Sequence, residues 1–234
     1  MHGHMPQLYH HPLCPQSRFA RLALAEYGVE AKLVEERTQE RRHDFLLLNP
    51  AGQTPVLQLD EGTAISGAAV IGEYLDEAHG AAAPARRLMP EAPLARAETR
   101  RLVSWFCDKF FDEVSRPLVN EKIYKRFLPP ALGGGGPDME LVRAARFNIR
   151  AHLRYIGWLV STRHWLAGET LSLADFAAAA HISSVDYLGD APFAEDAGAK
   201  EWYARIKSRP SFRSLLNDRA PGLPPPQSYA DLDF

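Results

Sequence analysis

The segment at 80–93, GAAAPARRLMPEAP, most constrains what this chain can fold into, because the patterns on its two sides cannot belong to one repeating architecture. It is rich in Ala and Pro and carries neither a strand nor a helix period, so it reads as a linker. Before it, short strand-like runs alternate with helical ones; after it, every periodic run is helical. Gln7–His10 reads as a strand, and Pro15–Tyr27 as a helix with Phe19, Leu22 and Ala23 on one face, closed by Gly28. A second strand follows over 31–35, then a polar loop and short helix over 37–50 that Asn49-Pro50 ends. Residues 54–65, TPVLQLDEGTAI, alternate like a β-hairpin with Asp60, Glu61 and Gly62 as its turn. The helix over 69–79 carries Val70, Ile71, Tyr74 and Leu75 as its apolar stripe.

Beyond the linker, 94–127 forms one long helical pattern with a kink or break at Pro117. GGGGP at 133–137 is a loop, and no Gly-Lys-Ser/Thr follows it to make a phosphate cradle. Further helices are expected over 139–160, 173–187 and 201–216, and the prolines of 220–234 predict an extended tail. The organisation is therefore an added leader at 1–4 (MHGH), an α/β unit at 5–80, a linker at 81–93, an all-helical unit at 94–222 and a tail at 223–234.

The 27 Lys and Arg residues against 29 Asp and Glu give a net charge of −2, so there is no global electrostatic case for nucleic acid. No apolar run approaches the roughly 20 residues needed to span a bilayer, and no signal peptide opens the chain, so membrane insertion is not expected. Cys14 and Cys107 form no disulfide or metal pattern. Together these features predict a soluble, cytoplasmic protein. His2, His4, His10 and His11 raise the question of a metal site, but ligands should converge from ordered elements, and no metal is expected. Cys107 lies among Trp105, Phe106 and Phe110 in a helical run and reads as core.

Several motifs in this order resemble the glutathione S-transferase superfamily between about Pro6 and Leu216. NPAGQTPVL (49–57) is similar to the segment whose Thr-Pro bond is cis in that family, VIGEYLDE (70–77) to the last helix of its N-terminal domain, and GETLSLADF (168–176) to its buried capping segment. IKSRPSF (206–212) is similar to its final-helix signature. The resemblance implies an α/β thioredoxin-like N-terminal domain followed by an all-α C-terminal domain. It also implies a cis bond at Pro55 that turns Gln53 and Thr54 toward a glutathione pocket, and a capping box in which Ser172 is the cap and Asp175 its partner.

The family's catalytic position falls at Cys14. Cys-Pro-Gln-Ser is similar to the monothiol arrangement of cysteine-type transferases, with Ser17 in place of a resolving cysteine. One reading makes Cys14 a nucleophile, favoured by a helix N-terminus, that forms a mixed disulfide with glutathione. The other makes it a small apolar residue inherited at the helix start. Where the superfamily places an acidic residue and a serine to hold the γ-glutamyl end of glutathione, this chain has Gly67 and Ala68. Ser66 stands one position too early, and no carboxylate is available nearby in the motif. Each lost charge-assisted contact costs about 1.5–3 kcal/mol, so the expectation is that no glutathione cofactor is used.

The tail places Tyr229, Leu232 and Phe234 among Asp231 and Asp233, beyond three consecutive prolines. A stiff stalk with an acidic, apolar tip reads as a partner-binding motif; the alternative is a disordered, solubilising end. A transferase fold with this tail and a degraded subsite resembles the transferase-like bacterial division proteins that bind the tubulin homologue FtsZ. That resemblance implies a non-catalytic homodimer at the division site that binds FtsZ filaments and regulates the Z-ring, through the tip residues and, more weakly, Phe45 and Leu47. The competing expectation is a glutathione-dependent thiol transferase using Cys14.

Overall fold

Side-chain alternation along the first strand decides how the N-terminal half is layered. The computed structural model describes residues 5–59, 62–82 and 86–232. β1 (Gln7–His10) runs parallel to β2 (Lys32–Glu35) and antiparallel to β3 (Val56–Gln58), and β3 pairs antiparallel with β4 (Ala64–Ser66), giving the order β2-β1-β3-β4. Successive side chains of a strand point to opposite faces. Leu8 and Leu57 accordingly pack with Ala20, Ala23 and Leu24 of α1 (Pro15–Tyr27) and with Ile71 and Leu75 of α3 (Ala68–His79). Tyr9, on the other face, meets the ring of Phe45 from α2 (His43–Leu48) at 5.7 Å between centroids. The strands and helices expected here are present, with β2 starting one residue later and α3 one residue earlier than the pattern suggested. Asp60 and Glu61 of the hairpin turn, and His2 and His4 of the leader, lie outside the described residues.

α1 starts at Pro15, whose missing N–H would have lacked an intrahelical acceptor in any case, and it ends at Gly28 in a left-handed conformation with φ 68°. The linker does not float. Asp76, near the end of α3, accepts hydrogen bonds from the amides of Leu88 and Met89 at 2.8 and 3.0 Å, from Tyr27 Oη at 2.6 Å, and from Arg87. Leu88 and Met89 are thereby buried in the main core.

That core surrounds α7 (Leu173–Tyr187), every residue of which is buried. A helix apolar all round belongs at the centre of a bundle, and the four consecutive alanines Ala177–Ala180 let neighbouring helices approach closely. The expected capping box is present: Asp175 accepts from Ser172 N and Oγ, Leu166 N and Trp202 Nε1, all at 2.9–3.0 Å.

The long helical pattern after the linker differs from expectation in one respect. α4 (Pro93–Ser104) passes without interruption into a π-helical stretch, Trp105–Ser115, and then α5 (Arg116–Lys122). The change of register precedes Pro117 rather than following it. Pro117 has no N–H to offer the carbonyl of Glu113, and that oxygen instead accepts from Asn148 Nδ2 of α6 (Met139–Thr162) at 3.3 Å. The single helix expected over 201–216 is also divided. α8 (Ala197–Lys207) begins earlier, capped by Asp196 Oδ1 on Ala199 N at 2.9 Å, and Pro210 separates it from the short α9 (Arg213–Leu216). Gly157 of α6 makes room for that cap, because a Cβ there would stand 2.3 Å from Asp196 Oδ1.

The tail is not a projecting stalk. Ala220 and Leu223 form a β-bridge, Gln227–Tyr229 is a 3₁₀ turn, and Tyr229 is 0 % exposed. Three prolines extend the chain locally, but Tyr229 brings it back into the protein.

Candidate functional site

A cavity of about 900 Å³ separates the α/β half from the π-helical stretch and α5. The loop after β1 supplies His11 and Cys14, the Thr54–Pro55 segment supplies the base, and the start of α3 supplies the far wall. The Thr54–Pro55 bond is cis, as the motif predicts. Cys14 is the residue immediately before α1 and is half-buried; the Thr54 hydroxyl approaches its Sγ at 3.9 Å. Across the cavity, Gln16 Nε2 donates to the Cys107 carbonyl at 2.9 Å, tying α1 to the π-helical stretch. Cys107 itself is buried, and burial pushes its thiol well above the usual range, consistent with a core role.

Sequence reasoning missed Tyr124, because it lies where one continuous helix was expected. Its hydroxyl contacts His11 Nδ1 at 3.3 Å, the two rings meeting edge to face at 4.7 Å. Burial lowers the His11 pKa to about 4 and raises that of Tyr124 well above its ordinary value. At neutral pH the wall beside Cys14 thus holds an uncharged imidazole and a protonated phenol.

The far wall lacks side-chain groups to hold an amino-acid moiety. Gly67 precedes α3 with φ 92° and ψ 133°, its N–H donating to Pro55 O at 3.1 Å, and α3 has no side-chain cap. Ala68 is its first helical residue. The positive φ is a second reason for glycine at 67, independent of any ligand: an L side chain is strained there. A Cβ would meet nothing nearer than Val70 Cγ2 at 3.9 Å, so the obstacle is conformational and not steric. Gly67→Glu is therefore expected to lower stability by about 1–2 kcal/mol, read as a shift in the urea midpoint with unchanged slope; an unchanged midpoint would remove the strain argument.

Carboxylates do reach the cavity from outside that motif. Glu36, Asp108 and Glu121 all line it. Each is already engaged: Glu36 by Arg42, Asp108 by Ser104 Oγ, and Glu121 by Lys125 and the Asp138 amide. Glu36 and Glu121 are thus already paired with cations, whereas Asp108, held only by a hydroxyl, keeps its charge on the opposite wall. Gln53, Asn49 and Ser66 supply the remaining polar lining near the cis-proline.

Residues 13–78 match the sequence profile described as Glutathione S-transferase, N-terminal domain, and residues 106–210 match Glutathione S-transferase, C-terminal domain. The chain belongs to the glutathione S-transferase superfamily. Among its relatives, FtsZ-localized protein A of Caulobacter vibrioides is 44 % identical over 230 residues, 97 % of each chain. The solved structure of a glutathione S-transferase from Sinorhizobium meliloti 1021 matches with a TM-score of 0.96 at 52 % identity, covering 99 % of this chain and 100 % of that one. The structure of FzlA from C. crescentus matches with a TM-score of 0.90 at 43 % identity and the same coverage. One neighbour carries the family's enzymatic name and another a name drawn from FtsZ, so family membership alone does not settle the chemistry.

Within this transferase fold, the residues expected at a partner surface are not all surface residues. Phe45 is 1 % exposed under Tyr9, and Tyr229 is fully buried, so neither contacts a partner in this conformation. α2 turns the two neighbours apart: Leu47 is 71 % exposed. Asp231 is exposed and Leu232 is 43 % exposed, whereas Asp233 and Phe234 lie outside the described residues. Among the described residues no group of three His, Cys, Asp or Glu side chains is placed to hold a metal, and no helix is long and apolar enough to cross a membrane.

Proposed function

We propose that this chain is a transferase-like division protein that associates with FtsZ filaments through its surface and not by glutathione chemistry. The carrying observation is the 44 % identity to FtsZ-localized protein A along 97 % of both chains. The cavity supports the non-catalytic half of the reading, since Gly67 and Ala68 offer no side-chain grip and Glu36 and Glu121 are already paired with Arg42 and Lys125. A homodimer at the division site would carry two filament contacts in one particle and cross-link filaments by avidity, regulating the architecture of the Z-ring.

Co-sedimentation tests the association. The full chain is expected to pellet with FtsZ polymers, and truncation after Pro224 to remove most of that binding; failure of the full chain to pellet would end the proposal. Calorimetry tests the chemistry, with no glutathione binding expected in the micromolar range. One observation favours a second reading: Cys14 stands at the start of α1 beside a cis-proline, facing a cavity of ligand size. Micromolar glutathione binding, with thiol transfer abolished by Cys14→Ser, would replace the first reading by that one.

A further inference from the structure

Parts of the chain distant in sequence meet at one guanidinium. Arg18, in the first turn of α1, is fully buried and uses every face of its fork. Its Nε donates to Pro12 O at 2.9 Å, its Nη1 to Ser183 Oγ of α7 at 2.9 Å and to Tyr229 Oη at 3.1 Å, and its Nη2 to Asp218 Oδ2 at 3.1 Å. Arg21, one turn on, reaches the same carboxylate at 2.8 Å. A planar guanidinium suits this work, since its donors are fixed in direction.

Tyr229 is held from all sides. Its hydroxyl donates to Leu215 O at 2.9 Å while accepting from Arg18, and its ring meets Tyr187 edge to face at 5.3 Å. Arg18 and Lys207 lie 5.9 and 5.7 Å from its ring centroid. Lys207, itself buried, donates to Asp186 Oδ2 and to the Ser228 carbonyl, both at 3.3 Å. The Tyr187 hydroxyl donates to Leu223 O and accepts from Ala220 N, both at 2.7 Å, which fixes the path of the tail before the turn. Immediately after this seat the chain presents Asp231 and Leu232 to solvent.

We propose that Tyr229 is a positioning residue that holds Asp231 and Leu232 as a fixed part of the folded surface, and that its seat exists only while α1 is packed on α7. The inference rests on the reading that the tip contacts FtsZ polymers and names how that contact is set. A pre-ordered tip binds without first surrendering conformational freedom. A stalk meant only to reach outward would gain nothing from burying a tyrosine behind three prolines. Asp231 also lies close enough to Lys207 to favour its charged form. Charge reversal at 231 therefore disturbs the seat as well as the tip, and Leu232→Ala is the cleaner change at the contact itself.

The test uses the full chain carrying Tyr229→Phe or Leu232→Ala, with hydrogen exchange over 220–232 and co-sedimentation with FtsZ polymers as readouts. Tyr229→Phe keeps the ring and removes only the hydroxyl, so the fold is retained. It is expected to speed exchange in the tail and weaken co-sedimentation roughly five- to tenfold. Leu232→Ala is expected to weaken co-sedimentation with tail exchange unchanged. Faster exchange in Tyr229→Phe with undiminished co-sedimentation, while Leu232→Ala still weakens it, overturns the positioning role and leaves the tip contact standing. Loss of effect in both variants overturns the tip contact as well. Unchanged exchange in Tyr229→Phe, repeated in Lys207→Met where the Ser228 hold is removed, overturns the anchor itself.

Discussion

Asp175→Ala is expected to destabilise the protein by about 3–5 kcal/mol, the largest effect of any single substitution considered. Its carboxylate accepts four hydrogen bonds within a fully buried site, from Leu166, Ser172 (twice) and Trp202. Removing one acceptor group leaves those donors unpaired in the core, and each unpaired buried donor costs about 1–3 kcal/mol, with partial relaxation reducing the sum. The consequence spreads, because Leu166 N precedes α7, Ser172 caps it and Trp202 belongs to α8. Asp175→Asn keeps one acceptor oxygen and turns its amide toward the remaining donors, so roughly half the loss is expected. Urea unfolding followed by tryptophan fluorescence measures both; a loss below about 1 kcal/mol for the alanine variant would show that the capping box is peripheral to stability.

Acidification is expected to remove about 3 kcal/mol of stability between pH 7.5 and 5.5 through His10 and His181 alone, with His11 and His152, whose pKa values burial also lowers, adding in the same direction. His10 and His181 are buried, and burial lowers each pKa to about 3 from the ordinary 6.5. Between those values the unfolded chain binds protons that the folded chain does not. Stability therefore falls with pH below 6.5, by about 1.4 kcal/mol per histidine at pH 5.5. Asp175 and Asp186, whose pKa values burial raises, act with the opposite sign, since their protonation favours the folded state as pH drops. The His181 share is isolated by His181→Asn, which retains a partner for Ser115 Oγ, now 2.9 Å from His181 Nδ1. The slope of unfolding free energy against pH near 6 should fall by about one proton in that variant. An unchanged slope would place the acid sensitivity elsewhere.

Most of the α/β half was legible in the sequence, because its signals are local: Pro15 and Gly28 bracket α1, and Asn49-Pro50 ends α2. The cis bond at Pro55 and the capping box were legible as well, though through resemblance and not through periodicity. The misreadings arose where distant residues decide the outcome. Nothing around 94–127 announces a π-helical stretch, whose freed carbonyl is answered by Asn148 on another helix. Phe45 and Leu47 look alike in sequence, yet Tyr9 buries only one of them. A proline-rich tail with an aromatic residue reads as a projecting stalk unless Arg18, more than two hundred positions earlier, is known to be waiting for its hydroxyl. At the cavity, the absence of polar side chains at Gly67 and Ala68 was legible, but not the carboxylates on its walls or their partners.

The Arg18 hub also sets an order of events during synthesis. Its partners lie 165, 200 and 211 residues further along the chain. Contacts of such separation form late, because loop closure must precede them. A growing chain can pair β1 with β2 and fold α1 against the sheet while most of the protein is still unmade. The guanidinium in that early helix, however, keeps an incomplete set of partners until residue 229 has been added. For this protein the first helix to be made is among the last to be finished, and a nascent chain halted before its tail holds that guanidinium against Asp218 and Ser183 but without the phenol that completes its set.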